Sequence, residues 1–159
     1  MFGTKFTRDE TGGSVAEFVL VATVFFMIIF GIIEFGRLLY THNALSDAAR
    51  RGARYAALHK EADINCVKNA VVYGDTHLNP ATCAPTGPAL LGGLTTANVD
   101  VVYLGAGGDG YGMNIGTTSV VVKDYVFTIN IPLFSRTINM PDYRATMSAE
   151  SAGEIPPDI

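Results

Sequence analysis

Glu17 is the residue whose chemistry most demands a partner. It is the one carboxylate at the mouth of an apolar run from Phe18 to Ile33 that only Thr23 interrupts. A charge in such a place is costly unless it is paired or reaches the interface. Its type and position therefore predict either that a cation arrives to neutralise it or that it snorkels to the membrane surface. Gly12 and Gly13 lie one helical turn before it. Cys66 and Cys83 form a second pair, and neither His59 nor His77 completes a zinc spacing with them. One disulfide in an oxidising compartment is the better reading of these cysteines, with two free thiols as the alternative. Gly105, Gly107 and Gly110 match G-x-G-x-x-G after a predicted strand, but a dinucleotide site needs a helix to start there and hold the pyrophosphate. The next residues, YGMNIGTTSVVV, read as a loop entering a strand, and Asp109 reads as a loop residue rather than a calcium ligand. His42, His59 and His77 have no HExxH spacing, and no Cys-His or G-x-S-x-G pattern occurs. Asp75, Asp100, Asp124 and Asp142 read as solvated surface acids. The residues point to no enzyme, no metal and no cofactor.

The hydropathy pattern predicts the elements that hold these groups. With Val15, Ala16 and the residues after Ile33, the apolar run reaches about 20 residues, the number a helix needs to cross a ~30 Å hydrocarbon core. The preceding MFGTKFTRDETG is short and polar, with Lys5, Arg8 and the amino terminus outweighing Asp9 and Glu10 by one charge. The run is longer than a signal-peptide core and flows into GRLLYTHNALSDAARRGARYAALHK, which still reads as helix, to about His59 or Lys60. Leu38, His42, Leu45, Ala49, Gly52 and Ala56 recur along one face and are mostly small, so another element can approach closely. Arg37, Asp47, Arg50, Arg51, Arg54 and Lys60 lie mainly on other faces and read as solvated. Gly31 and Gly36 bracket the membrane exit, where they can mark a bend or a close helix contact.

Beyond the helix, 159 residues leave room for one small domain. The net charge of −4 argues against a nucleic-acid binder. Residues 61–96 are loop-like, broken by Pro80, Pro85, Pro88 and Gly92-Gly93, with a short helix expected within Ala62–Tyr73. Strands are predicted at Asn98–Leu104, Thr118–Ile131 and Tyr143–Glu150, where apolar and polar residues alternate. The expected fold class is α+β: a long N-terminal helix whose second half packs on a small antiparallel sheet, with a protruding apolar stalk.

GGSVAEFVLVATVFFMIIFGIIEFGRLLYTHNALSDAARRGARYAA closely resembles the N-terminal signature of TadE-like proteins, the minor pilins or pseudopilins of tight-adherence (Tad) pili. The resemblance rests on the small residues before A-E-F, the apolar helix, the I-I-E-F-G-R-L-L-Y exit and A-A-R-x-G-A-R-Y-A. IPLF at 131–134 and ATMSAE at 145–150 also look like that family's closing strands, whereas residues 61–115 carry no such signature. The resemblance implies a pilin-like subunit cut at a glycine by a prepilin peptidase. Cleavage after Gly12 makes Glu17 the fifth mature residue and after Gly13 the fourth; the usual pilin pattern favours Gly12. It further implies Glu17 in the role of the pilin glutamate, which pairs with an N-terminal amine during assembly. The implied partners are other pilins or pseudopilins through the N-terminal helix, an inner-membrane assembly platform and the membrane itself, with no nucleic acid. The organisation expected is a leader at 1–12, a transmembrane or filament-core helix at 13–40, its packed continuation at 41–60 and a loop-and-sheet domain at 61–159.

Two functions from different classes compete. One is a structural subunit of a Tad-type pilus used in surface adhesion, a minor pilin or, alternatively, the main filament subunit. It would be a single-pass inner-membrane protein with its C-terminal domain periplasmic or extracellular, and could enter the extracellular pilus. The other is a membrane-anchored periplasmic binding or enzymatic domain. Glu17 and the small-residue face favour the pilus subunit, since an inert anchor needs neither.

Overall fold

The computed structural model describes residues 11–59, 63–74, 77–79, 81–104, 117–132 and 134–148. Residues 1–10, within the expected leader, Lys60, Asp75, residues 105–110 with the expected loop and Asp109, and Glu150 lie outside the described residues.

One helix dominates. α1 runs unbroken over Thr11–Ala57, 47 residues, or about 70 Å at 1.5 Å per residue. It closes in a tighter turn, with the Leu58 amide donating to the Tyr55 carbonyl at 3.2 Å and that of His59 to Ala56 at 3.3 Å. The two halves of α1 have opposite surroundings. None of its most apolar stretch is buried within the chain, whereas Leu45, Ala48, Ala49, Ala53 and Ala56 are almost completely enclosed.

Three elements cover that second half: α2 (Ile64–Tyr73) and two strands of a sheet. The sheet comprises β1 (Val99–Leu104), β2 (Thr117–Val122) and β5 (Tyr143–Ser148), antiparallel in the order β1-β2-β5. Its register pairs Val101 with Val120 and Val120 with Ala145, so that Val99, Val120, Val122 and Tyr143 join Val67, Val71 and Val72 of α2 around the helix. The β-branched valines suit a pleated, half-buried surface.

The predicted strand at 118–131 is two strands, and a fifth was not predicted. β2 ends at Val122, and β3 (Val126–Ile131) pairs with β4 (Phe134–Asn139) in a separate two-stranded ribbon. The break falls at Asp124, whose φ of 54° lies in the left-handed region that Asp tolerates better than most residues. Asn98 fixes this corner: its side-chain amide donates to the Lys123 and Asp124 carbonyls, each at 3.2 Å, and its own carbonyl accepts from Lys123 N–H at 2.8 Å. β4 escapes a reading based on alternation because nearly all its side chains are exposed. The small-residue face is correct in outline. Gly52 is its close-approach point, facing Val71 of α2 and Val120 of β2. Around Gly31 and Gly36 the chain itself leaves open space.

Cys66 of α2 and Cys83 are joined by a disulfide across a sequence separation of 17. Asn69 donates to the Cys83 carbonyl at 2.9 Å, and Leu78 bridges to Pro85, so the Pro-rich segment is fastened back onto α2.

Two stability experiments test this packing. A Cβ at position 52 would overlap Val71 Cγ2 and come within 3.2 Å of Val120 Cγ1. Gly52→Ala gains up to about 1 kcal/mol of helix propensity, but overpacking a full core costs about 1–3 kcal/mol. Thermal melts should show net destabilisation, and Val71→Ala should make Gly52→Ala less harmful; strictly additive effects would refute the close approach. Reduction of the disulfide should lower the unfolding free energy by roughly 3 kcal/mol in the chain-entropy model. Denaturant titrations with and without reductant measure it, and alkylation of unreduced protein should find no free thiol.

Candidate functional site at the N-terminal helix

The residues of interest are distributed along α1 rather than gathered in a pocket. Gly12 and Gly13 lie in its first turns, and Glu17, four residues after Gly13, shares a helix face with it. Glu17 is exposed, as are Phe18 at 72% and Leu20 at 68%. Large apolar side chains remain exposed on all sides through Ile32, Ile33 and Phe35. Burying that surface is worth about 25 cal/mol per Å², so this half of the helix belongs in an apolar medium or against other helices. Thr23 does not break the pattern, since its hydroxyl donates to the Val19 carbonyl at 2.7 Å within the helix.

The run ends in a charged clasp that was not anticipated. Glu34 accepts from Arg37 Nε at 3.1 Å and lies 2.9 Å from the other guanidinium nitrogen, and its side chain is only 14% exposed. The same guanidinium donates to the Thr128 carbonyl of β3 and sits over the Phe127 ring, 4.6 Å from its centre. Arg37 is therefore more than a solvated residue. It neutralises the second carboxylate of the apolar stretch and ties the helix to the ribbon. A cation over an aromatic face adds about 0.5–1 kcal/mol where partly solvated. The i,i+3 spacing of Glu34 and Arg37 was the available signal, although nothing in the pattern pointed to Phe127.

One turn further, the Thr41 hydroxyl donates to the Arg37 carbonyl at 2.9 Å. His42 is hydrogen-bonded through Nδ1 to the Tyr143 hydroxyl at 2.7 Å, the rings meeting edge-on at 5.1 Å. Burial raises the Tyr143 phenol above its ordinary value, so it stays protonated in this contact. Tyr125 is raised for the same reason, opposed by the charge of Arg37, and its hydroxyl donates to the Gly92 carbonyl at 2.7 Å. Among the basic residues higher up, Arg51 pairs with Asp47. Lys123 on the sheet pairs with Asp100, whose hydrogen bond and charge raise the lysine pKa.

Cys66 and Cys83 are remote from Gly12 and Glu17. The disulfide belongs to the segment packed near Gly52, some 40 residues along α1, or about 60 Å. Among the described residues no group of three or more His, Cys, Asp or Glu side chains is arranged to hold a metal ion. The arrangement can anchor, pack and register a helix.

Comparison with curated proteins and with solved structures returns no match. A family model described as TadE-like protein does match, over residues 12–54. The match spans Gly12, Gly13, Glu17, the Glu34–Arg37 clasp and the small-residue face through Ala53. It points to a protein associated with Tad pili. The stretch that resembles the TadE-like signature is thus also the stretch that the family model matches, residues 12–54.

Proposed function

We propose that this chain is a structural subunit, a minor pilin or pseudopilin, of a Tad-type pilus, needed for assembly of the filament or for its tip. The observation that carries this reading is the division of α1. One half is gripped by its own domain, and the other presents a bare apolar surface with a single carboxylate near its start. A helix of this kind buries its stalk either in lipid or among the stalks of other subunits. Residues 1–12 act as the leader, 13–40 as the span and filament core, 41–60 as the packed continuation and 61–159 as the outward-facing domain. A prepilin peptidase cuts after Gly12. The inner-membrane assembly platform and other pilins receive the processed helix, and the pilus serves surface adhesion.

Glu17 supplies the assembly logic. Cleavage leaves a cationic amine on Gly13, at nearly the same membrane depth as Glu17. Removing one member of a buried ion pair typically costs about 3–5 kcal/mol. An incoming Glu17 that meets a neighbour's amine therefore sets the axial register and favours entry beside an already processed subunit.

Glu17→Gln should leave expression, membrane insertion and cleavage intact while impairing piliation. Wild-type piliation together with wild-type co-purification of the variant with its pilin partners would sink the mechanism. The N-terminus should be cytoplasmic and the domain periplasmic or extracellular. Long domains translocate largely regardless of charge, so the arginines after the span do not oppose this. A reporter fused after Leu58 that works only in the cytoplasm would reverse the orientation.

A further inference from the structure

We propose that the tip of the β3–β4 ribbon is a second membrane contact, with Ile131, Pro132 and Phe134 entering the bilayer interface beside α1 and Arg136 meeting lipid phosphates behind them. The proposal rests on reading α1 as a membrane span.

The first argument is direction. Thr118 of β2 reaches the Ala53 carbonyl, at 3.4 Å. Val122, at the other end of β2, pairs with Tyr143, which is bonded to His42. Thr128 of β3 is bonded to Arg37. Thr118, Tyr143 (the partner of Val122) and Thr128 thus bond to helix positions 53, 42 and 37 in turn, so the sheet and ribbon descend α1 toward its apolar half. Ile131 lies three residues beyond Thr128, about 10 Å of strand. Along the helix axis that length equals at most six or seven residues, so the tip lies between the level of Arg37 and that of about Gly31, at the end of the apolar run.

The second argument is chemistry. Phe127, Ile129 and Ile131 of β3 share one ribbon face with Ile138, Arg136 and Phe134, their partners on β4. That face begins as core at Phe127, which is 4% exposed, and ends at Phe134, which is 52% exposed. Charge varies along the same axis. Ile131, Pro132 and Phe134 make the tip apolar, Arg136 stands two residues behind Phe134, and Asp124 and Asp142 lie beyond the base of the ribbon among Lys123 and Arg144. Apolar, then cationic, then mixed charge is an order suited to hydrocarbon, headgroup phosphate and water. An acidic protein partner would call for no such gradient.

The chain has no tryptophan, so Phe134→Trp introduces a single fluorophore. The full chain is reconstituted in phosphatidylcholine–phosphatidylglycerol vesicles carrying brominated acyl chains. The expected result is blue-shifted emission, most of it lost to bromine placed near the headgroup end of the chains. Val102→Trp, on the exposed part of β1, should remain red-shifted and unquenched. Phe25→Trp tests the span by itself and should be quenched by bromine placed deep in the chains. Quenching of Phe25→Trp without quenching of Phe134→Trp overturns the ribbon contact and leaves the span intact. Failure of Phe25→Trp to quench overturns the span and this proposal with it. A blue shift of Phe134→Trp that bromine does not quench and that grows with the protein-to-lipid ratio assigns the tip to a second copy of the chain, which also overturns the lipid contact.

Discussion

Everything in this fold depends on how closely its domain can approach α1. Ala48, Ala49, Gly52, Ala53 and Ala56 present little side-chain bulk, so α2, β2 and β5 pack close to the helix backbone, with Leu45 the large buried side chain of this face. Dispersion between closely apposed atoms, each contact worth only ~0.1–0.2 kcal/mol, accumulates over such a surface. The arrangement is intolerant at its centre, where Gly52 faces two stiff valines. It is tolerant at its edges, where Leu38, Ala44 and Tyr55 are only partly buried. The helix thereby serves as the central core element of the domain as well as its stalk.

The charges on α1 divide in the same way as its packing. Glu34 is neutralised within the chain by Arg37, and Arg37 is itself held by β3. Glu17 has no comparable clasp near it in sequence. An acid satisfied internally stabilises the fold, whereas an exposed acid such as Glu17 is free to serve the association proposed above. Both carboxylates border one apolar run, and only their neighbours distinguish these roles.

Much of this was legible in the sequence. The span, the helix continuing past Tyr40 and the buried face through Leu45, Ala49, Gly52 and Ala56 emerge from periodicity, because a long helix repeats its pattern many times. β1 and β5 were readable from alternation. The split between β2 and β3 was not, since the pattern barely changes across Lys123-Asp124-Tyr125 and the turn depends on a backbone angle and on Asn98 reaching over from another segment. β4 was missed because exposed strands carry no hydrophobic signal. The Arg37–Phe127 contact joins residues 90 positions apart and leaves no local trace. For the site, residue types single out Glu17 and the two glycines as candidates, and no contact among the described residues bears on their roles.

The uninterrupted course of α1 has a mechanical consequence. No break in α1 separates the half that carries Glu17 from the half enclosed by the sheet, so the direction of one half constrains that of the other. Transmembrane helices commonly tilt by about 20°, and over the ~40 Å that separates the middle of the span from the middle of the gripped half such a tilt displaces the domain sideways by about 14 Å. With the apolar half in a membrane, as proposed, inclination imposed there is carried along the helix to the domain.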